Sequence, residues 1–401
     1  MSYLLTAIDA AEPLPSLHLR DDQTGWAALI RWKGRPVDFW IEPCDPGTTI
    51  SARELARRIY TQSRYALTEA QLHFESPPPQ ASPPAVSVVI CTHNRPERLT
   101  RCLASIQQHV PEDGPAEVLV VDNAPPDNRT RTAAQTAGVH YVMESRPGLN
   151  AARNRAFAEA RGDWVAFLDD DVIVDAEWWG GLCHAHAANP DADGFTGQVM
   201  PYALETHAQV LFEQRGGFRR GFTSTRYGPA PHAPIYPCNT GILGTGANMV
   251  FRRDAVRRIG GCDEALDAGA ALPGGGDLDL FYRVIRGGGV LVYEPTMLVF
   301  HEHRRTLQAL RDQYEHSWGR SLMAYLVKIY QTDPATRPKV RRLLWWWTRD
   351  TGQHLSRATR GRTDRPLSFV IAELRGALRG LCGAYPRAVR RANRLKQEYP
   401  S

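Results

Sequence analysis

The apolar run Trp164-Val-Ala-Phe-Leu168 ends in three consecutive carboxylates, Asp169, Asp170 and Asp171. A strand that is apolar along nearly its whole length is covered on both faces. In open α/β sheets, strands of this kind present ligands at their carboxyl ends. Three carboxylates there repel one another unless a cation neutralises them, and a divalent metal carrying a phosphate-bearing substrate would do so. The alternative is a solvated turn that caps the next helix, since Asp is common in both roles. The triplet alone leaves both readings open.

The preceding segments alternate. Val86-Ser-Val-Val-Ile-Cys91 reads as a strand, and residues 95–108 as a helix with Leu99, Cys102, Leu103 and Ile106 on one face. Residues 117–121 read as a second strand ending at Asp122. A helix around 129–137 and a strand at 139–142 follow, and a helix over 150–160 feeds the aspartate strand. Alternation at this spacing predicts an α/β fold with a mostly parallel central sheet and helices on both faces. Right-handed crossovers then bring Thr92, Asp122 and the aspartate triplet to one edge.

The flanks differ in character. Residues 1–76 read as a small α+β accessory module: two strands flank Lys33-Gly34-Arg35, and a helix opens near Ser51. A Pro-rich linker, 77–84, cannot pair in a sheet and divides this module from residues 85–305. From 306 to 401 the pattern is helical, with about three times as many basic as acidic residues and Trp345, Trp346 and Trp347 set among arginines. Such an extension fits contact with an anionic partner, a peripheral membrane surface included, or ordinary packing of an outer helix. Seven cysteines without a CxxC pair argue against a zinc site or disulfide scaffold. With no signal-like start and no apolar window of membrane-spanning length, a cytoplasmic protein is expected, possible contact being with the inner face of the membrane.

Several segments in order carry a resemblance: Val86-Ser-Val-Val-Ile-Cys-Thr-His-Asn-Arg95, Val120-Val-Asp-Asn123, Gly148-Leu-Asn-Ala-Ala-Arg-Asn154 and Phe167-Leu-Asp-Asp-Asp171, then Gly244-Thr-Gly-Ala-Asn-Met-Val-Phe-Arg252, Gly274-Gly-Gly-Asp-Leu-Asp-Leu280 and His301-Glu-His-Arg304. Together, over residues 84–305, they resemble glycosyltransferase family 2. The resemblance implies a GT-A fold and the transfer of a sugar from a nucleoside diphosphate to an acceptor hydroxyl. It also implies Mg²⁺ or Mn²⁺ and, usually, inversion of the anomeric centre.

Carried over residue by residue, it makes Asp171 a metal ligand, Asp169 a contact to the ribose or metal-bound water, and Asp170 a replaceable middle position. His301 joins the metal shell, with His303 as the alternative. Thr92 and Asp122 face the base, and an aspartate accepting from N3–H favours a UDP- or dTDP-sugar donor. Arg95 and Arg153 suit the phosphates. Asp277 matches the catalytic base, and Asp279, Asn248 and Trp178 fall on the acceptor side. One departure stands out: Gly276 occupies the position of the family's glutamate before the base.

The acceptor (glycan, lipid-linked or small molecule) is left open, and no nucleic-acid partner is expected. A nucleotidyltransferase would need a Gly-rich basic loop after the first strand, and Thr92-His-Asn-Arg-Pro96 is not one. A membrane-partnered polysaccharide-synthase relative would carry a Q-x-x-R-W segment, which Gln313-Tyr-Glu-His-Ser-Trp318 does not match. A non-catalytic nucleotide-sugar-binding protein would have no use for the base at Asp277.

Overall fold

The computed structural model describes residues 1–74, 84–230, 234–360 and 365–399. Apart from Pro84, the Pro-rich linker lies outside the described residues. A nine-stranded sheet forms the centre: β1 (Val86–Thr92), β2 (Glu117–Asn123), β3 (His140–Glu144), β4 (Trp164–Asp169), β5 (Val172–Val174), β6 (Gly194–Pro201), β7 (Thr225–Tyr227), β8 (Asn248–Arg252) and β9 (Leu291–His301). Their order is β5-β9-β6-β8-β4-β1-β2-β3, with β7 also on β9.

The four strands β4, β1, β2 and β3 are mutually parallel, as the alternation predicts. Beyond β4 the sheet is mixed. Strand β8 runs antiparallel to both β4 and β6, while β9 is parallel to β6 and antiparallel to β5 and β7. The expectation of a mostly parallel sheet therefore holds for one half only. Helices Trp178–Ala188 and Gly276–Arg286 precede β6 and β9, but β8 enters antiparallel between β4 and β6, so the strand–helix rhythm no longer fixes strand direction.

Successive side chains of β4 point to opposite faces, and both faces are covered. Trp164, Ala166 and Leu168 meet Leu99, Cys102 and Leu103 of α1 (Pro96–His109). Val165 and Phe167 meet Ala152 and Ala156 of α2 (Leu149–Glu159), and Phe281 of α3 (Gly276–Arg286). Each such apolar side chain contributes about 1.5–3 kcal/mol on burial. A doubly covered strand has no solvent face, which is why its polar residues stand only at its end.

In the N-terminal part, Gly25–Trp32 pairs antiparallel with Arg35–Pro43 and parallel with Leu4–Asp9. Ser51 caps the helix Ala52–Gln62 by accepting from Glu54 N–H. This module is docked rather than isolated: Tyr3, Leu29 and Phe39 pack with Met200, Leu204 and Leu298, and Arg31 meets Asp175 at 2.5 Å. The C-terminal part is helical as expected, with a π-helical turn Tyr314–Ser321, α4 (Leu322–Thr332), α5 (Arg337–Thr359), α6 (Leu367–Leu381) and α7 (Ala384–Glu398). Lys328 of α4 ties it to the sheet domain, reaching Asp263 at 2.6 Å and Asp279 at 2.5 Å. Among the described residues no helix is long and apolar enough to cross a membrane.

Candidate active site

Asp169 closes β4, and Asp171 stands just before β5. Strand β5 pairs with the end of β9 in the register Val172 to His301, so the sheet itself carries His301 to the carboxylates. Ligand atoms of Asp169, Asp171 and His301 lie within 4.8 Å of one another. Burial, then the neighbouring charge of Asp171, pushes Asp169 up to about 7. Burial lowers His301 to about 4, so the ring is neutral near pH 7. Burial also opposes ionisation of Asp171, but His301, Arg95 and Arg98 hold it below the usual carboxylate range.

The histidines form a chain. His303 Nε2 lies 2.7 Å from Glu213 Oε1, and His303 Nδ1 lies 3.0 Å from His301 Nδ1. His303 Nε2–H donates to the carboxylate, which leaves its Nδ1 to accept from His301 Nδ1–H. His301 then presents a bare Nε2, 3.3 Å from Asp171 Oδ1. Two facing lone pairs call for a cation between them, and an imidazole fixed through its other nitrogen is the usual state of a metal ligand. Two carboxylates and one imidazole therefore fit Mn²⁺ or Mg²⁺. Of the two histidines, His301 is the one in the cluster; His303 orients it.

Asp170 is not the free middle position that the resemblance implies. It is buried, accepts from the Thr92 hydroxyl at 2.7 Å and from Arg95 at 3.1 Å, and so fixes the loop after β1. Arg98, which sequence reasoning missed, lies 3.0 Å from Asp171, one helical turn beyond Arg95. Asp122 departs from its expected role facing the base. It is fully buried, accepts from the Tyr141 hydroxyl at 2.9 Å, and leaves Oδ1 unpartnered. At that strand end the cleft wall is His93 and Asn123, because strand alternation turns Asp122 inward.

Asp277 stands in the first turn of α3. Its Oδ2 accepts from Gly246 N–H at 3.0 Å, and its Oδ1 from Leu278 N–H at 2.8 Å. Burial, then the charge of Asp267, raises its pKa, while Arg153 and the two N–H groups oppose the rise. Arg153 is itself buried and pairs with Asp267 at 2.5 Å, so it braces the site from within rather than offering a free phosphate contact. Asp267 is the second residue that sequence reasoning missed. A Cβ on Gly276 would fall 2.5 Å from Asp267 Oδ2 and 2.5 Å from Asn150 Nδ2. The loop carboxylate thus fills the space a side chain at 276 would need. The available signals were the glycine where a glutamate is usual and an Asp within the Gly-rich stretch 267–276.

Two cavities meet here. One, of about 400 Å³, is lined by Thr92, Arg95, Asp170, Asp171 and Arg304. The other, of about 470 Å³, contains Asp277. Asp169, Asp267 and His301 line both. Arg220 also lines the second, where its guanidinium donates to the carbonyls of Gly241 and Arg219.

Three acceptor-side expectations are corrected. Trp178 is fully buried and donates its Nε1–H to Asn248 at 2.9 Å, so it offers no sugar platform. Asn248, also buried, donates to the carbonyls of Gln198 and Met297 and so fastens neighbouring strands. Asp279 is buried between Arg283, at 2.7 Å, and Lys328. All three hold the framework behind the cavity wall.

Residues 87–260 match the family model described as Glycosyl transferase family 2. The chain is 28% identical over 247 residues to the pre-mycofactocin glycosyltransferase of Mycobacterium tuberculosis H37Rv, covering 60% of this chain and 48% of that protein. It is 27% identical over 222 residues to the succinoglycan biosynthesis protein ExoM of Rhizobium meliloti, covering 54% of this chain and 66% of that one. The chain thus spans about half the length of the first of these relatives. Among solved structures, a mannosyltransferase from Pyrobaculum calidifontis in complex with GDP-Man and Mn²⁺ is similar at a TM-score of 0.45 and 18% identity, with 84% of this chain and 83% of that chain covered. That likeness is too distant to argue from, and the family rests on the matched segment. Residues 87–260 are thus a segment of the glycosyltransferase family 2 type.

Proposed function

We propose that this chain is a metal-dependent glycosyltransferase that moves one sugar from a nucleoside diphosphate sugar to an acceptor hydroxyl, with inversion. The observation that supports this best is the meeting of two cavities at Asp169, Asp267 and His301, with cations on one side and Asp277 on the other. Asp171 and His301, with Asp169 beside them, would hold a divalent ion, which would supply positive charge to the departing diphosphate. Arg95 and Arg304 line the same side and add to that charge, and Asp170 keeps Arg95 and Thr92 in place.

Asp277 takes the proton of the acceptor hydroxyl. The N–H groups of Gly246 and Leu278 fix its carboxylate while each oxygen keeps a further lone pair. Inversion would require attack from the Asp277 side and departure toward Asp171, His301 and Arg95 on the opposite face of the sugar, and the junction of the two cavities supports such a path. Because Asp122 is fully buried, it gives no argument for uracil or thymine.

The test is donor binding and donor hydrolysis by the purified chain across UDP-, dTDP- and GDP-sugars, with and without Mn²⁺. Metal-dependent binding of one donor class is expected, and Asp277→Asn should keep that binding while abolishing transfer. No binding to any donor in the presence of metal would overturn the reading. Transfer at the parent rate by Asp277→Asn would remove Asp277 as the base.

A further inference from the structure

Past Asp277, the larger cavity changes character. Its walls near the carboxylates are Arg153, Asp267 and the backbone of Gly244 to Ala247, whereas its far walls are Leu322 and Leu326 of α4 and Leu343, Trp346 and Trp347 of α5. Leu326 and Leu343 are buried in a cluster that also takes in Cys238 and Tyr282, so this end is built where the helical extension packs on the sheet domain. Trp346 is 52% exposed, and Trp345 beside it is 62% exposed. An exposed tryptophan forming part of a cavity wall is apolar surface that the fold leaves without an intramolecular partner. The far end therefore opens near α5, where exposed Arg341, Arg342 and Arg349 flank the tryptophans.

Resting on the glycosyltransferase reading, we propose that the acceptor is an amphiphile whose hydroxyl-bearing head reaches Asp277 and whose apolar body lies against Leu322, Leu326, Leu343, Trp346 and Trp347. A purely polar sugar or metabolite would leave this wall facing water, whereas an alkyl or aromatic body covers it. A volume of about 470 Å³ holds a head group and several carbons but not a long chain, so a longer body leaves through the opening by Trp345 and Trp346. The apolar body could belong to a membrane-borne lipid or to a soluble apolar compound. Both present the same chemistry to the cavity.

The probes are n-alkyl β-D-glucosides from methyl to octyl, below their micellar concentrations, titrated into the full chain with Mn²⁺ and followed by tryptophan fluorescence. Affinity is expected to rise about fourfold for each methylene that enters the cavity. Trp346→Ala changes a half-exposed side chain and should flatten that dependence, Trp346→Phe should restore most of it, and both should bind the donor as the parent does. Equal affinity for methyl and octyl glucosides, or a dependence unchanged in Trp346→Ala, overturns the proposal.

Co-sedimentation with phosphatidylcholine–phosphatidylglycerol vesicles separates the sources. Vesicle binding lost in Trp346→Ala assigns a membrane-borne body, and its absence alongside a steep alkyl series assigns a soluble one. Failure of donor binding in the same preparations would instead strike the glycosyltransferase reading.

Discussion

The pairing of Gly276 with Asp267 makes a quantitative prediction. Asp267 Oδ2 lies 2.5 Å from Arg153 Nη1, and Arg153 is buried, with Asn150 Oδ1 and the Gly246 carbonyl as its further acceptors among the described residues. Asp267→Ser would strand that guanidinium, at a cost of about 3–5 kcal/mol. Gly276→Glu would drive its Cβ against Asn150 and Asp267 and set a second carboxylate beside the first. Overpacking of that kind costs about 1–3 kcal/mol before repulsion is added. Combined, the two changes relieve each other: the serine vacates the space, and the glutamate reaches into it toward Arg153. The double variant should therefore be more stable than the sum of the singles by about 2 kcal/mol, within the range seen for residues in contact. Urea unfolding of the four proteins by tryptophan fluorescence checks this, comparing midpoints because a chain of several units need not unfold in one step. Additive losses, or a double variant worse than both singles, would refute the idea that Asp267 occupies the place of the missing glutamate.

Two further outcomes follow from the same geometry. Asp170→Ala should weaken donor binding by at least tenfold in calorimetry, because Thr92 and Arg95 both lose the acceptor that fixes them; donor affinity within a factor of two of the parent would show that Asp170 is dispensable. Asp277 is held above the usual carboxylate range by burial and then by Asp267, so the acid limb of a kcat/KM profile should lie above that range. Asp267→Asn removes a like charge and should move the limb to lower pH, and a limb that stays or moves upward contradicts the assignment.

How much of this could be read from the chain differs by region. The parallel half was legible because β1, β2 and β4 are apolar runs separated by helices, a pattern that carries both element type and direction. The edge bearing Thr92 and the aspartates followed from it. Strands β8 and β9 were not placed, because they pair with strands distant in sequence and in mixed directions, β8 antiparallel to β4 and β6, and β9 parallel to β6 but antiparallel to β5 and β7. Within the site, residue type located the chemistry but not the direction of each side chain. Asp122, Asn248 and Asp279 sit next to cavity-lining positions in sequence, yet alternation or helical phase turns each inward, and Trp178 lies away from both cavities with its ring on Asn248. Asp170 and Asp267 failed in the opposite sense. Each looks incidental in sequence, and each becomes a brace only when its buried arginine or threonine partner arrives from a distant segment.

This contrast bears on how such a site can change its substrate. The carboxylates proposed for catalysis stand on strand ends and a helix start that are locked by buried bonds, so their positions have little freedom. The far cavity wall instead belongs to α4 and α5, which lie outside residues 87–260 and join the sheet domain through contacts such as Lys328 with Asp263 and Asp279. A change of Leu343 or Trp346 alters what the cavity accepts without disturbing the bonds that hold Asp277 or His301. On this division of labour, replacing apolar wall residues should change acceptor KM and leave donor binding untouched. Replacing the braces Asp170 and Asp267 should damage donor binding or stability whichever acceptor is offered.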